Sequence, residues 1–500
     1  MGAIIAQDTP HRCGLSLCKF RGIAGKLDTL PNQNATQNKN LLMINRRRFL
    51  QTVAVAATVP ATGAARANTN ANTRFGNLRP DPNRILDLPQ GFSYEVISRQ
   101  GEEMDDGLLI PARHDGMAAF AGEDGTIRIV CNHENPARVQ RMGAFGANAE
   151  RLDRIDAAFV YDYGKGSTPG TGGTTTIVYD PKERRRKRIH LSLAGTEINC
   201  AGGPTPWGSW LSCEEIFRDP GSNFEWTGIA NREKKHGYIF EVHAALDGPS
   251  DPVPLKDMGR FEHEAAAVNP ATGIVYLTED RHQSLLYRFI PKVAGRLQEG
   301  GRLQALGIKD MPEFDTRNWP GKQKWQPGSW LDAVWVDLDQ PDVAENDLRF
   351  RGREKGATIF ARGEGLCYSD GDIFIAATIG GAERLGQVFN YRPSPDEGTP
   401  AEKDNPGKLQ LLAESTGDSL LRHADNLTMS PWGDLVVCED TAGHCGLVGL
   451  QTDGTQYPIA DNAYTSSEVA GVCFSPDGSI LFVNIQEQGL TLAISGPWTS

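Results

Sequence analysis

The chain has 500 residues, and its hydrophobic content of 39% supports a packed core and excludes a disordered chain. Its 55 Gly and 30 Pro indicate many turns and argue against a helical bundle. The formal charge of −12 argues against a general nucleic-acid binder, and the sequence has no apolar run long enough for stable membrane insertion.

Residues 1–67 are predicted to be an N-terminal extension and a signal peptide, and within them residues 43–67 have the pattern of an export signal rather than of a folded domain. The motif NRRRFLQ at 45–51 places Arg46 and Arg47 as a twin-arginine pair. A weakly apolar stretch at 52–62 and an A-x-A sequence ending at position 67 complete the pattern, so we expect cleavage near 67/68. The expected partner during export is the Tat translocase, and the expected location is periplasmic or extracellular.

Residues 68–500 are predicted to form one domain, and we expect it to be monomeric. Residues 1–67 contain nine Lys/Arg and two Asp/Glu, so the remaining chain has 42 basic and 61 acidic residues, a formal charge of −19. Clustered carboxylates suit hard cations such as calcium, although a solvated acidic surface explains most of this excess.

A repeated unit organises this domain. A polar residue, a short apolar strand, a turn rich in Pro, Gly and Asp, and a second apolar strand recur six times. The turn glycines are Gly125, Gly208, Gly273, Gly371, Gly433 and Gly478. The shortest interval, 45 residues, fits one four-stranded propeller blade of about 40–45 residues. We therefore predict an all-β fold, a six-bladed β-propeller with loop insertions; the alternative is a series of hairpins in a sandwich.

The same repeat predicts a site. In a propeller the innermost strand of each blade lines the central channel, so equivalent residues on these strands form one ring. The ring would contain Asp115, Cys200, Glu264, Glu364, Asp425 with Asn426, and Glu468. Carboxylates packed together repel unless cations hold them, which predicts a site for several metal ions. A thiolate favours a softer metal than calcium, such as iron or zinc.

A second set of polar residues follows the outer strand of four units. These segments are Asn132-His133-Glu134, Glu214-Glu215, Glu279-Asp280 and Glu439-Asp440. Such residues often bind turn amides instead of metals. We take Glu214 and Asn132 as the stronger candidates for metal contact.

Residues 291–330 interrupt the repeat with Pro, Gly, Lys and three tryptophans, Trp319, Trp325 and Trp330. Two interpretations fit this insertion: a lid over one face of the domain, or an excursion that packs against it.

Several long segments resemble the PhoX-type alkaline phosphatases, a family of Tat-exported enzymes. They include LAGTEINCAGGPTPWGSWLSCEE, GRFEHEAAAVNPATGIVYLTED, GEGLCYSDGDIFIAAT, ADNLTMSPWGDLVVCED and SEVAGVCFSPDGSILFVNIQEQGLTLAISGPW. The resembling segments extend from about residue 91 to 498, nearly the whole of the predicted domain.

The resemblance implies hydrolysis of phosphate monoesters at an iron–calcium centre in the channel, with two Fe³⁺ and two or three Ca²⁺ ions. By motif match, Cys200 and Glu264 resemble ligands of the iron pair. Glu364, Asp425 and Glu468 resemble ligands at or near calcium. Arg362 resembles the arginine that holds the phosphate of the small-molecule ester, although an ion pair with Glu364 also explains it.

Two other functions remain open at this point. One is a calcium propeller that hydrolyses lactones, phosphodiesters or phosphotriesters, since such proteins also place Glu and Asn at the start of inner strands. Their calcium sites use oxygen ligands only, so the thiol of Cys200 favours the phosphatase hypothesis over this alternative. The other alternative is a non-catalytic metal-binding propeller.

Overall fold

The computed structural model describes residues 73–136, 140–222, 231–322 and 324–498. The twin-arginine motif and the expected cleavage position lie outside the described residues. Within the described residues the regular secondary structure is mostly β-strand, with one short α-helix and single 3-10 turns, so the all-β prediction is confirmed. No helix in this part of the chain has the length and apolar character needed to span a membrane.

The strands follow one another in short hairpins. The first ten are β1 (Leu78–Arg79), β2 (Leu86–Pro89), β3 (Ser93–Arg99), β4 (His114–Ala121), β5 (Ile127–His133), β6 (Gly173–Asp180), β7 (Arg185–Ala194), β8 (Asn199–Pro204), β9 (Ser209–Glu214) and β10 (Ile239–His243). The next five are β11 (His263–Val268), β12 (Val275–Glu279), β13 (Tyr287–Pro291), β14 (Gly301–Ile308) and β15 (Trp330–Leu338).

One α-helix, α1 (Leu348–Glu354), precedes the remaining strands of the described chain. These are β16 (Gly363–Ser369), β17 (Asp372–Ala377), β18 (Gln387–Arg392), β19 (Lys408–Glu414), β20 (Ala424–Met429), β21 (Leu435–Glu439), β22 (Gly446–Leu450), β23 (Gln456–Asn462), β24 (Val469–Phe474), β25 (Ile480–Ile485) and β26 (Leu490–Ser495). Single 3-10 turns occupy Glu123–Gly125, Gln140–Met142, Leu152–Arg154, Ala157–Phe159, Gly164–Gly166, Lys256–Met258, Leu297–Glu299 and Pro400–Lys403.

The strands pair in antiparallel groups of consecutive hairpins. The groups are β4 to β7, β8 to β10, β11 to β14, β16 to β19, β20 to β23 and β24 to β26. Strand β15 pairs with both β14 and β19 and so joins two of the groups into one nine-stranded sheet. Strands β1 and β2 extend the group that ends with β23. Strand β3 pairs with β26, so an N-terminal strand completes the C-terminal sheet.

The first strands of the six groups form a closed ring. Strands β4, β8, β11, β16, β20 and β24 contact one another in that order, and β24 contacts β4. All six line one cavity of 340 Å³ whose walls are mostly small and apolar residues. We interpret each group as one blade around this central cavity, in keeping with the repeat in the sequence.

Glycine lets these inner strands approach closely. A Cβ atom at Gly116 would lie 2.5 Å from Cα of Ala201 on the neighbouring strand. At Gly365 it would lie 2.6 Å from the carbonyl oxygen of Asp425. A side chain at either position would push two inner strands apart. The close approach brings polar side chains of different strands within a few ångströms of one another.

The insertion at 291–330 packs against the domain over part of its length. Strand β14 continues its sheet, and β15 begins at Trp330. Trp325 is buried and stacks on Phe389 with ring centroids 5.9 Å apart. Trp319 is half-buried and lies at the surface.

Candidate metal centre

Each inner strand contains a β-bulge at its beginning. The register with the second strand of the group shifts between His114 and Met117 in β4, and the equivalent shift occurs in β8, β11, β16, β20 and β24. Two residues on the inner strand therefore oppose one on its partner, and the bulge re-aims their side chains. In the first five strands the first of these two residues is Asp115, Cys200, Glu264, Glu364 and Asp425, respectively.

The sixth strand departs from this pattern. The equivalent position in β24 is Gly471, not the predicted Glu468, which lies three residues earlier. Gly471 has φ of +65°, and its N–H donates to Oδ1 of Asn426 over 2.5 Å. A Cβ atom there would clash with the carbonyl oxygen of Asp115. Because no side chain fits at Gly471, the carboxylate from this blade comes from Glu468, ahead of the strand.

A second set of acidic residues directly follows the second strand of four groups. These residues are Glu134, Glu215, Asp280 and Asp440, after β5, β9, β12 and β21. Successive side chains alternate between the two faces of a strand. The residue that follows the strand therefore points to the opposite side from the last residue of the strand, such as Glu214 or Glu439.

The first set, together with Glu134, Glu215 and Asp440 of the second, forms four groups of potential metal ligands. The groups are Cys200 with Glu215 and Glu264; Glu264 with Glu364 and Asp425; Asp425 with Asp440 and Glu468; and Asp115 with Glu134 and Glu468. In each group one ligand atom per residue lies within 4.8 Å of the others. Because Glu264, Asp425 and Glu468 each belong to two groups, the four groups form one continuous chain, which we call the acidic ring.

The structure brings together six of the predicted ligands: Asp115, Cys200, Glu264, Glu364, Asp425 and Glu468. Glu214 lies outside the four groups. Asn426 lies next to the ring: its side-chain amide donates to Oδ1 of Asp425 over 3.1 Å, and its Oδ1 accepts a hydrogen bond from the N–H of Gly471. Sequence reasoning did not select Glu134, Glu215 and Asp440 as ligands, although it named the segments that contain them. Strand alternation is the signal that separates Glu215 from Glu214.

Asn132 and Glu214 have other partners. The Asn132 amide donates to the carbonyl oxygens of Cys200 and Ala201, and its Oδ1 accepts hydrogen bonds from Trp210 and Ser212. Asn132 therefore fixes the backbone at the bulge that carries Cys200.

Glu214 belongs to a cluster of fully buried charges. It accepts hydrogen bonds from Nδ1 of His236 at 2.6 Å and from the N–H groups of Glu197 and Gly237 at 3.0 and 2.9 Å. The cluster, called here the buried network, consists of Asp162, Glu197, Glu214, Arg218, Arg232 and His236. Burial favours a neutral imidazole, but the carboxylates of Glu214, Asp162 and Glu197 outweigh it and raise the pKa of His236 to about 9.

Comparison with known proteins identifies the family. A model of the family "Alkaline phosphatase PhoX" matches residues 73–489. The chain belongs to this family. No curated protein sequence matches the chain. Among solved structures, Pseudomonas fluorescens PhoX in complex with vanadate, a transition state analogue, is 17% identical, covers 83% of this chain and 96% of its own, and superposes with a TM-score of 0.61. A gluconolactonase from Xanthomonas campestris, 11% identical, covers 84% of this chain and 98% of its own with a TM-score of 0.38.

PhoX-family proteins depend on metals, and the donor chemistry of the acidic ring fits cations. Burial, followed by the charges of Glu264 and Glu215, raises the pKa of the Cys200 thiol well above its usual range. A thiolate at this position therefore needs a cation beside it. One group contains a thiol and two carboxylates, whereas the other three contain only carboxylates, the donors preferred by hard ions.

Arg362 lies beside this ring and binds two acidic residues. Its Nε and Nη2 donate to the two oxygens of Asp280 over 2.6 and 2.8 Å, and Nη2 also lies 3.0 Å from Oε1 of Glu364. Its φ of +55° is the left-handed conformation, which is uncommon for a residue with a side chain. Arg362 therefore connects a ring carboxylate with the acidic residue that follows β12.

Arg113 and Gln486 support the opposite part of the ring. The Gln486 amide donates to Asp115 and to Glu134, over 2.7 Å in each case. The Arg113 guanidinium donates to Glu134 over 2.5 Å and to Gln486 over 2.9 Å. These contacts hold two potential ligands in place, and sequence reasoning identified neither residue.

Proposed function

We propose that this PhoX-family chain is an exported phosphomonoesterase with an iron–calcium centre in the acidic ring. The observation that carries the proposal is the continuity of the ring: three carboxylates are each shared by two neighbouring groups. A carboxylate that belongs to two groups could serve as a ligand in both, so the residues of the ring would hold more than one cation. In this proposal residues 68–500 form the mature domain, released near 67/68 after Tat-dependent export to the periplasm or beyond.

We assign the softer metals to the group with Cys200, Glu215 and Glu264. A thiolate with two carboxylates suits iron better than calcium. The groups with oxygen donors only would hold calcium. When bound, these cations supply the positive charge that a phosphate ester requires in an otherwise acidic channel.

The protein's contribution to substrate binding is assigned to Arg362. Asp280 holds the guanidinium through two parallel hydrogen bonds, which fixes its plane beside the ring. A guanidinium held in this way can donate to the oxygens of a phosphoryl group in a defined orientation. Asp280 acts here as a positioning residue, because it orients Arg362 and does not itself bind the anion.

Metal analysis and kinetics on the same purified sample test the proposal. We expect bound iron and calcium, hydrolysis of p-nitrophenyl phosphate at alkaline pH, and little hydrolysis of bis-p-nitrophenyl phosphate. Arg362→Gln should lower kcat/KM by about 10²-fold or more while leaving the metal content unchanged. Arg392→Gln, at the far end of its sheet and paired with Asp372, is the matched control.

Two results would contradict the proposal in different ways. Protein without bound metal would overturn the assignment of the acidic ring. Metal-loaded protein that cleaves the diester but not the monoester would retain the centre and replace the substrate class.

A further inference from the structure

Beside Arg362, a tryptophan holds two arginines at the surface of the domain. The guanidinium carbons of Arg317 and Arg384 lie 4.2 and 4.4 Å from the Trp319 ring centroid. The Trp319 indole N–H donates to the carbonyl oxygen of Ile379 over 2.9 Å. We call Arg317, Trp319 and Arg384 the rim stack. Both cation–π contacts and the indole hydrogen bond restrict the conformations of its side chains.

The rim stack is connected directly to the segment that carries Arg362. The N–H of Ile379 donates to Ala361 over 3.4 Å, and the N–H of Thr378 donates to the carbonyl oxygen of Arg362 over 3.0 Å. His282 lies between the two features: Arg317 donates to its carbonyl oxygen over 3.1 Å. Burial lowers the pKa of His282, and the positive charges of Arg362 and Arg384 lower it further, so both arginines lie near this imidazole.

The two arginines of the stack differ in their charge partners. Arg317 forms a bidentate ion pair with Asp315, with distances of 2.7 and 2.6 Å. Arg384 is exposed, and no carboxylate in the described part of the chain lies within ion-pair distance of it. Its φ of +59° lies in the left-handed region, an uncommon conformation for arginine. Among the residues that the structure describes, Arg384 is thus a restrained cation with no carboxylate at ion-pair distance.

We propose that Arg384 is a specificity-determining residue that binds a second anionic group on the leaving-group side of the substrate. This inference rests on the proposed function, since Arg362 and the acidic ring bind the phosphoryl group in that scheme. The favoured substrates are then phosphate esters whose alcohol carries a carboxylate or a further phosphate. Trp319 holds the guanidinium in position, and Asp315 keeps Arg317 from competing for the same anion.

Binding of non-hydrolysable phosphonates tests this inference without depending on catalysis. Two matched pairs differ only in the second anion: 4-phosphonobenzoate against phenylphosphonate, and 3-phosphonopropionate against propylphosphonate. Calorimetric titration of the metal-loaded protein at low ionic strength should give a Kd about three- to fivefold lower for the carboxylated member of at least one pair. Arg384→Gln should reduce that preference to less than about twofold, and Arg384→Lys should retain part of it.

Arg392→Gln provides the control, because Arg392 also stacks on a tryptophan, Trp330, at 4.9 Å, but pairs with Asp372 away from the ring. It should keep the wild-type preference. Equal affinities within both pairs, or a preference that survives in Arg384→Gln, would overturn the inference. A preference that depends on Arg384 in a protein that hydrolyses no phosphate monoester would support the subsite and reject the proposed function instead.

Discussion

Glu214 and Glu215 are sequence neighbours that the structure assigns to different tasks, and replacing each in turn separates these tasks. Glu214→Gln removes a charge from the buried network, whereas Glu215→Gln removes a potential metal ligand from the acidic ring. We expect the first variant to lose stability and the second to lose metal. The two substitutions are otherwise identical in size and chemistry, so each is the control for the other.

The expected loss in the Glu214 variant follows from its contacts. Glu214 accepts a hydrogen bond from the charged imidazole of His236 and further bonds from the N–H groups of Glu197 and Gly237. Breaking a buried ion pair from one side costs about 3–5 kcal/mol, because the remaining charge has no partner. With an unfolding entropy of about 2.1 cal/mol/K per residue, this corresponds to a fall in Tm of roughly 3–6 °C for a domain of this size.

Calorimetric unfolding of both variants in the presence of a chelator measures the difference. Under these conditions Glu215→Gln should lose less stability than Glu214→Gln, because the lost attraction to Arg281 is offset by the removal of a negative charge from beside Glu264. With metals added, metal analysis should show reduced iron in Glu215→Gln and wild-type iron in Glu214→Gln. The opposite pattern, with iron lost from Glu214→Gln at an unchanged Tm, would refute the assignment by strand alternation.

Three further predictions concern the thiol, the buried imidazole and the export signal. Cys200→Ser should lose iron, as metal analysis will show, and its activity should fall by at least about 10²-fold. In the presence of a chelator its Tm, measured by calorimetry, should differ from that of the wild type by less than about 2 °C. The pKa of His236 is about 9 in the folded protein and about 6.5 when unfolded, so its contribution to stability is complete below pH 6.5 and is lost as the pH rises through 9. The Tm measured in the presence of a chelator should therefore fall as the pH rises from 6.5 to 9. His236→Asn should have a lower Tm near neutral pH and a smaller decrease of Tm over this pH range. Replacing Arg46 and Arg47 by lysine should retain the precursor in the cytoplasm, as cell fractionation will show.

The sequence repeat predicted the all-β class and most of the inner ring because its signal is local. A polar residue, an apolar strand and a turn lie within about a dozen residues of one another, so their spacing survives insertions of any length between the blades. The pairing of β15 with two sheets and of β3 with β26 was not predicted. Those contacts join segments that are distant in sequence, and no local pattern encodes which edge a solitary strand joins.

The sequence analysis selected the residues of the acidic ring that come from the inner strands, but not Glu134, Glu215 and Asp440, which follow the second strands. Asp115, Cys200 and their equivalents follow from the alignment of turns, since five of the six are the first residue of the bulge at the start of an inner strand. At the end of the second strand the sequence offers two adjacent carboxylates, as in Glu214-Glu215, and hydrophobicity does not distinguish them. The register decides, because Glu214 pairs with Asn199 as the last residue of β9 and Glu215 follows it on the opposite side.

The acidic ring also has a consequence for how the protein acquires its structure. Eight carboxylates and one thiol place potential ligand atoms within 4.8 Å of the other members of their groups, and most of these residues are buried. Like charges at such distances destabilise the folded chain unless protons or cations compensate them. Metal binding to the folded ring therefore adds to its stability by mass action, and the ring is complete only when all six inner strands have closed. Metal binding and closure of the six inner strands into a ring are thus expected to be coupled. This agrees with the proposed export of an already folded protein by the twin-arginine route.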